Sequence, residues 1–292
     1  MADSITVIAP AKVNLFLHVT GRRDDGYHLL ESLFAFTRRG DEITLKAAPE
    51  LSLTIEGEFA GTLSADVDDN LILKAAHALA VAAGVEARAA ITLRKNLPVA
   101  AGIGGGSADA AAALRGLNSL WGLKLSLADL EPIAYQLGAD VPACLYETPL
   151  FVEGVGEKLS PATLSWRTGI LLVNPGVMLS TPAVFRAFKD AGSHFDMPLG
   201  GERPWADVAT LARHSHNSLE APAISACPLV ADVLKALAGL KGVQLARMSG
   251  SGATCFALFE DKTTAEAAAV SLKNAHPEWW MMADELVTPS SL

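Results

Sequence analysis

Four glycines fall within residues 102–106, and a serine and an alanine-rich segment follow them directly. The preceding residues 89–94 (AAITLR) alternate in polarity, which predicts a strand. Alanine is the strongest helix former, so we predict a helix over residues 109–117 with Ser107 capping its first turn. A strand, a glycine loop and a helix start leave backbone N–H groups unpaired at the positive end of the helix dipole. This pattern is typical of a site that binds an anion, most often phosphate.

Two well-known phosphate motifs do not account for this loop. A Walker A loop needs a lysine directly after its last glycine, and no lysine lies between Lys95 and Lys124. The dinucleotide pattern GxGxxG also fails, because its third glycine would fall on Ser107. A flexible glycine turn is the alternative interpretation. The strand before the loop and the alanine-rich helix after it favour a phosphate site.

A lysine, an asparagine and an aspartate are further candidates for chemistry. Side chains alternate along a strand, so Lys12 and Asn14 share one face of the strand predicted over residues 12–19. They either reach into a site or form a solvent-exposed edge. Asp140 lies in the segment ADVP, where Pro142 disfavours helix for the residue before it. We therefore predict Asp140 in a loop at a helix end, where a turn or capping role is its alternative.

Composition limits the class of protein that these residues belong to. A chain of 292 residues exceeds the usual size of one domain, so two are predicted. The net charge of -9 argues against nucleic acid as the main partner. The three cysteines are widely spaced and suggest neither a disulfide framework nor a zinc site. We see no export signal and no apolar stretch long enough to cross a membrane, which predicts a cytoplasmic protein without a membrane partner.

The remaining pattern predicts the elements that would position these residues. In the first half we predict strands on either side of Pro10, a hairpin from residues 40–45 and 51–55, and a helix over residues 71–83 capped by Asp69 or Asn70. Ser126 or Asp129 opens the next helix, and Pro132 favours Asp129, because proline is tolerated only in the first turn. We predict a domain boundary within residues 153–159. In the second half we predict strands at 169–173, 243–248, 255–259 and 280–287, and helices at 205–213, 228–240 and 265–274, together with one that Thr181 and Pro182 open. A second glycine–serine turn at residues 249–252 either offers N–H groups to a phosphate or only connects two strands.

Three segments together resemble the motifs of the GHMP small-molecule kinases, in order and spacing: PAKVNLFLHV at 10–19, PVAAGIGGGSADAA at 98–111 and ARMSGSGATCFALF at 246–259. Four more resemble the family member that phosphorylates a cytidine diphosphate-linked polyol in non-mevalonate isoprenoid precursor synthesis: DDGYHLLESLF at 24–34, DNLILKAA at 69–76, LGADVPACL at 137–145 and TPAVFRAF at 181–188. The resemblance covers nearly the whole chain. The middle motif indicates the family, and the GYH and GADVP segments indicate the member.

The resemblance implies an α+β fold of two domains, with nucleotide and acceptor bound in the cleft between them. We place an ATP-binding domain at residues 1–156 and a C-terminal domain at 157–292. ATP and Mg²⁺ are the implied cofactors, and small molecules are the implied partners; the sequence leaves the oligomeric state open.

The resemblance also implies roles for individual residues. Lys12 and Asp140 match the catalytic pair. The nucleotide would be bound by Asn70 and Leu71 around the adenine, and around the phosphates by Pro98, Val99, Ala100, Ala101, Gly102, Ile103, Gly104, Gly105, Gly106, Ser107 and Ala108. The acceptor would be bound by Asn14, Tyr27, His28, Thr181, Phe185, Gly250 and Ser251, with the rings of Tyr27 and Phe185 enclosing the cytosine and His28 bonding to its edge. The family often has two serines after the glycines, and here the second is Ala108. Any phosphate or Mg²⁺ contact from this pair therefore falls on Ser107, and we assign no protein ligand to the metal.

Phosphoryl transfer requires the residue types that this pattern supplies. The reaction depends on positioning and charge stabilisation more than on covalent work. A carboxylate such as Asp140 can take the proton of the acceptor hydroxyl, and a lysine such as Lys12 would keep that carboxylate ionised.

Three alternatives to this kinase remain. A sibling kinase for mevalonate or homoserine would share the glycine loop but would not need an aromatic pair around a base. A nucleotide-binding regulator would not need both Lys12 and Asp140. A purely structural protein would leave the glycine loop unexplained.

Overall fold

The computed structural model describes residues 4–63, 70–200 and 205–288, and these residues form two compact units. The first unit contains residues 4–11, 39–63, 70–99 and 104–147. The second unit contains residues 12–38, 100–103, 148–200 and 205–288. Both units combine helices and strands, which confirms the predicted two-domain α+β fold. A division of the sequence at residues 156 and 157 stays a prediction.

The strands of the first unit are the ends of two long strands and two short strands. These are the start of β1 (Ile5–Arg22), the end of β2 (His28–Lys46), β3 (Ser52–Glu56) and β4 (Ala90–Arg94). β4 pairs antiparallel with β2 and parallel with β3. The predicted hairpin is therefore wrong, because β3 pairs with β4 and not with the strand before it.

β1 continues through Pro10 instead of breaking into two strands as predicted. The reason is a glycine on the neighbouring strand. A Cβ atom on Gly40 would lie 1.9 Å from the carbonyl oxygen of Ala9 and 2.7 Å from the Cα atom of Pro10. Only glycine permits this close approach, which accommodates the proline inside the strand.

The helices of the first unit are α1 (Leu71–Ala83), α2 (Gly105–Leu120), α3 (Leu127–Leu137) and α4 (Val141–Tyr146). The bounds of α1 are as predicted. The side chain of Asn70 accepts a hydrogen bond of 2.9 Å from the N–H group of Ile72, and Gly84 ends the helix in the left-handed conformation. Asp69, the other predicted cap, lies outside the described residues.

Helix α2 begins four residues before its predicted start. Gly104 precedes it with φ 62° and ψ 21°, a left-handed conformation that turns the chain directly into the helix. Ser107 is therefore a residue of the first turn and not the cap that the sequence predicted. The alanines of α2 are buried, and the helix packs against α1 and α4.

Helix α3 begins earlier than predicted as well. Ser126 caps it, because the Ser126 side chain accepts from the N–H group of Asp129 while the Asp129 carboxylate accepts from that of Ser126. This reciprocal pair satisfies two N–H groups at the helix start. Pro132 consequently lies inside the helix. The short helix α4 was not predicted, and Pro142 occupies its first turn, where proline is tolerated.

The second unit contains the remaining parts of β1 and β2, a hairpin and a four-stranded sheet. The hairpin consists of β5 (Leu150–Gly154) and β6 (Lys158–Pro161), at the place where a domain boundary was predicted, and β5 pairs with β2. The sheet has the antiparallel order β10-β7-β9-β8, formed by β7 (Gly169–Asn174), β8 (Leu245–Met248), β9 (Cys255–Phe259) and β10 (Trp280–Glu285).

Helices cover the apolar residues of this sheet. They are α5 (Thr181–Asp190), α6 (Val208–His214), α7 (Glu220–Ala226), α8 (Leu229–Ala238) and α9 (Lys262–Ala275), of which α7 was not predicted. The buried core joins Leu171 of β7 and Phe259 of β9 with Val233 of α8 and Leu272 of α9. Across the described residues, no helix has the length and apolar character that crossing a membrane requires.

Candidate active site

The first half of the glycine loop packs against the second glycine–serine turn and is hydrogen-bonded to it, within the second unit. Gly102 has φ 75°, and a Cβ atom on it would lie 2.5 Å from the carbonyl oxygen of Ser249. The Ser249 hydroxyl donates a 2.9 Å hydrogen bond to the Gly102 carbonyl, and the Thr254 N–H group donates to Ala101. Two glycine segments that are far apart in the sequence therefore form one structure.

The second half of the loop forms the start of α2 in the first unit. The N–H group of Ala108 donates to the Gly104 carbonyl at 2.8 Å, which closes the first helical bond. The N–H groups of residues 105–107 precede that bond and have no partner inside the helix. A Cβ atom on Gly106 would make only ordinary contact, 3.6 Å from Leu71. These amides at the positive end of a 16-residue helix fit a phosphate.

Lys12 and Asn14 lie in a buried hydrogen-bond network of the second unit, so they are not a solvent-exposed edge. The Lys12 ammonium donates to the Asn14 side-chain oxygen at 2.9 Å and lies 4.3 Å from the centre of the Phe34 ring. The Asn14 amide group donates to the Ser32 hydroxyl at 2.9 Å. The backbone N–H group of Asn14 donates to the Ser249 hydroxyl at 3.1 Å. This network fixes the direction of the lysine and asparagine side chains.

The turn that contains Gly250 and Ser251 is held by side chains that the sequence analysis missed. The Asn217 amide group donates to the carbonyls of Met248 and Gly250, each at 2.8 Å. The hydroxyls of Thr181 and Ser251 are 2.8 Å apart, which joins two residues predicted to bind the acceptor.

Arg247 supports the same turn from the end of β8. Its buried guanidinium donates to the carbonyls of Leu15 and Ser215 at 2.7 and 2.6 Å, and burial lowers the pKa of Arg247 to about 10. Ser32, Arg247 and Ser249 lie within motifs that the sequence analysis quoted, but no role was assigned to them, and Asn217 lies in none. Their roles depend on contacts with residues far along the chain.

Asp140 lies in the first unit, in the short loop that follows α3, as the sequence predicted, and directly before α4, which was not predicted. Its backbone carbonyl accepts from the N–H group of Cys144 at 3.2 Å, which begins the helix. The Asp140 side chain makes no capping hydrogen bond to this helix. The side chain therefore does not act as a cap, but Asp140 does lie in a turn, and its catalytic role stays a prediction.

Two of the residues predicted to hold a base, His28 and Phe185, lie together in the second unit. The rings of His28 and Phe185 stack, with centroids 4.5 Å apart and planes inclined by 19°. Tyr27 is 66% exposed, and Phe185 is partly buried against the core. Burial lowers the pKa of His28, with a smaller contribution from the charge of Arg22, and both effects favour the neutral ring. The stacking of His28 occupies one face of Phe185.

No metal centre built from protein side chains is evident in the parts of the chain that the structure describes. Among these residues, no group of three or more histidine, cysteine, aspartate or glutamate side chains is arranged to hold an ion.

Comparison with family models matches both halves of the chain. The model of the GHMP kinases N terminal domain matches residues 70–148, and that of the GHMP kinases C terminal domain matches residues 202–278. The first match contains Asn70, Leu71, the glycine loop and Asp140. The second contains the turn with Gly250 and Ser251.

Curated relatives are similar over nearly their whole length. A 4-diphosphocytidyl-2-C-methyl-D-erythritol kinase of Paramagnetospirillum magneticum is 48% identical over 285 residues, which cover 98% of this chain and 99% of the relative. The enzyme of the same name from Paracoccus denitrificans is 50% identical, with 95% of each chain covered.

Solved structures agree with the sequence comparison. A crystal structure of 4-(cytidine 5'-diphospho)-2C-methyl-D-erythritol kinase is 34% identical, with a TM-score of 0.79 and 97% of this chain and 99% of that chain covered. A homoserine kinase from Cytophaga hutchinsonii is 21% identical, with a TM-score of 0.73 and coverage of 99% and 96%. The second likeness concerns the fold alone.

Proposed function

This chain belongs to the GHMP kinases, and from that premise we propose that it transfers the γ-phosphoryl group of ATP to the 2-hydroxyl of 4-diphosphocytidyl-2-C-methyl-D-erythritol. This reaction belongs to the non-mevalonate route to isoprenoid precursors. The observation that carries the proposal is the 48% identity to a kinase of that name over 98% of the chain. The homoserine kinase is similar only in fold and supports no second activity.

The nucleotide is assigned to the glycine loop and to the start of α1. The N–H groups of residues 105–107 would donate to the ATP phosphates, and residues 98–104 and 108 would shape the loop around them. Asn70 and Leu71 would lie against the adenine. Mg²⁺ bound to the phosphates would neutralise their negative charge, with the Ser107 hydroxyl as the one side chain of the loop able to reach either.

The chemical step is assigned to Lys12 and Asp140. The Asp140 carboxylate would accept the proton of the 2-hydroxyl as that oxygen attacks the γ-phosphorus. The Lys12 ammonium would stabilise the negative charge that develops on the attacking oxygen. One observation supports this assignment: the side-chain oxygen of Asn14 orients the Lys12 ammonium.

The acceptor is assigned to the second unit. Tyr27 and Phe185 would enclose the cytosine, and the neutral ring of His28 would bond to its edge. Thr181, Gly250 and Ser251 would bind the diphosphate or the polyol, since the Thr181 and Ser251 hydroxyls already meet. Asn14 would complete the site beside the lysine. That the protein works in the cytoplasm, without a nucleic-acid or membrane partner, stays a prediction.

The proposal is tested by measuring product formation with ATP, Mg²⁺ and one acceptor at a time. The acceptors are 4-diphosphocytidyl-2-C-methyl-D-erythritol, 2-C-methyl-D-erythritol 4-phosphate, mevalonate and homoserine. We expect kcat/KM for the cytidylylated acceptor to exceed that for the others by at least about 100-fold, since the cytosine contacts alone are worth several kcal/mol. Phosphorus NMR of the product should place the new phosphate on the 2-hydroxyl. Equal or better use of mevalonate or homoserine would reject the proposed substrate.

A further inference from the structure

A buried cluster of three charged side chains, outside the residues assigned above, lies in the first unit. Lys95 is 2% exposed, and its ammonium is 2.5 Å from Asp41 Oδ2 and 2.7 Å from Asp109 Oδ2. The other carboxylate oxygen of Asp41 accepts from the N–H groups of Asn96 and Leu97, at 2.6 and 2.8 Å. One ammonium is therefore enclosed by two carboxylates, one of which is itself fixed by the backbone.

The cluster connects the start of α2 to the sheet beneath it. Asp41 lies on β2, Lys95 directly follows β4, and Asp109 is the fifth residue of α2. A Cβ atom on Gly105 would lie 3.1 Å from the Lys95 ammonium, closer than ordinary contact. The ammonium therefore lies against the first turn of the helix, and the absence of a side chain at Gly105 leaves it room.

Stability alone does not account for burying these charges. Removing an ion from water costs several kcal/mol, and the attraction within a buried pair often does no more than offset that cost. Burial raises the pKa of Asp109 to about 7 despite the neighbouring lysine, and Asp109 Oδ1 is buried without a hydrogen-bond partner. Apolar side chains of similar volume would fill the same space without this cost. The charged cluster instead supplies directional contacts, which hold β2, the end of β4 and the start of α2 together.

We propose that Lys95 is a positioning residue for ATP: held by Asp41 and Asp109, its ammonium sets the place of the first turn of α2, so that the N–H groups of residues 105–107 meet the phosphates. Lys95 acts through the backbone of the loop and touches neither substrate. The inference rests on the proposed binding of ATP at this loop. Its test is therefore a direct binding measurement that does not depend on the acceptor.

The test compares Lys95→Met with a matched variant on the same helix, Arg115→Met. Arg115 also lies in α2, donates to the Cys144 carbonyl at 2.9 Å and contacts Glu147, but lies farther from the loop. By calorimetry with Mg·ATP, we expect the Kd of Lys95→Met to rise at least about tenfold, which corresponds to 1.4 kcal/mol. The Kd of Arg115→Met should stay within about twofold of wild type, even with a similar fall in Tm.

Steady-state kinetics distinguishes a positioning role of Lys95 from a general loss of folded structure. In Lys95→Met, the KM for ATP should rise while the acceptor KM and kcat at saturation stay within about threefold of wild type, because only the fit of the phosphates is lost. Should Lys95→Met not fold, Asp109→Asn keeps Lys95 and Asp41 in place, and we expect a rise of about threefold or more in the ATP Kd.

The outcomes distinguish this inference from the proposed function. An unchanged ATP Kd in the folded variants would overturn the role of Lys95 while leaving the kinase assignment intact. An equal rise in Arg115→Met would overturn it also, since the effect would then be one of stability. Wild-type protein that binds Mg·ATP but phosphorylates none of the four acceptors would reject the proposed substrate and leave the role of Lys95 standing.

Discussion

Two buried lysines, one in each unit, differ in the contacts that hold them. Lys95 in the first unit is 2% exposed, and its ammonium touches the carboxylates of Asp41 and Asp109. Lys12 in the second unit is 4% exposed, and its ammonium touches the amide oxygen of Asn14 and the face of the Phe34 ring. Both lysines would count as core residues by their burial.

The comparison teaches that depth of burial alone does not indicate what a buried lysine does. Two carboxylates fix the Lys95 ammonium and take up its charge, which suits a role in holding the structure. The amide oxygen of Asn14 and the face of the Phe34 ring help to orient the Lys12 ammonium. We expect Lys12 to act in the chemical step and Lys95 to act through the position of the loop.

The largest expected effect concerns the chemical step. Asp140→Asn and Lys12→Met should each lower kcat by about 10²-fold or more, because the proton acceptor or the stabilising charge is lost. The double variant should lose less than the product of the two factors, because the residues act together. Steady-state kinetics at saturating substrates checks this. Near-normal turnover in Asp140→Asn would remove the carboxylate from the mechanism.

The next effect tests whether the second unit holds the acceptor. Phe185→Ala should raise the KM for the cytidylylated acceptor by about 5- to 150-fold, since stacking on a base is worth ~1–3 kcal/mol. The KM for ATP should not change. Phe188→Ala, which empties a buried core position on the same helix, is the control and should lower Tm instead. A Phe185→Ala variant with lowered Tm and normal acceptor affinity would assign that ring to the core.

A smaller effect tests the first unit at the loop itself. Gly105→Val should raise the ATP Kd by about tenfold, because the new side chain meets the Lys95 ammonium at the first turn of α2. Gly106→Ala is the matched control, since its Cβ atom would make ordinary contact with Leu71. Calorimetry on both variants measures the difference. Equal affinities would show that the place of this turn does not govern nucleotide binding.

The last prediction concerns stability and not activity: we expect a pH dependence of stability in the second unit. Burial, together with the charges of His216 and Arg247, lowers the pKa of His18 to about 4 against the opposing effect of Asp196. His18 Nε2 accepts from the N–H group of His216 at 3.3 Å, which fits the neutral ring.

Because the folded state disfavours protonated His18, this residue should reduce stability as pH falls from about 6.5 towards 4, by a total on the order of 2–3 kcal/mol. The free energy of unfolding of wild type and His18→Gln, measured by urea titration between pH 7 and 4.5, checks this. The wild type should lose more stability than the variant over that range. Parallel curves would contradict the burial of a neutral histidine.

The sequence predicted helices and strands correctly where their signals lie in neighbouring residues. The cap Asn70 and the stop Gly84 gave the bounds of α1, and the strand β9 agreed with its pattern. The start of α2 was missed, because the left-handed conformation of Gly104 is a property of the folded loop that a string of glycines does not specify. The pairing of β3 with β4 was missed because strand order depends on distant contacts.

The site was predictable to the extent that its motifs are contiguous. The glycine loop, together with the motifs near the start and near the end of the chain, indicated the family. The resemblance to the family then indicated the candidate residues. The Lys95 cluster joins residues from three separate elements, as does the hydrogen bonding of Ser249 to Gly102 and Asn14. Such contacts form only when the chain folds, so the spacing of residues in the sequence does not predict them.

The central claim is that Lys12 acts in the chemical step and that Lys95 acts through the position of the loop. It is tested most directly by measuring single-turnover phosphoryl transfer with saturating ATP and acceptor in Lys12→Met and in Lys95→Met. Saturation removes the effect of weaker ATP binding and leaves the chemical step. The account predicts that Lys12→Met is slower than wild type by about 10²-fold or more, while Lys95→Met stays within about threefold. Equal losses in the two variants, or a larger loss in Lys95→Met, would contradict it.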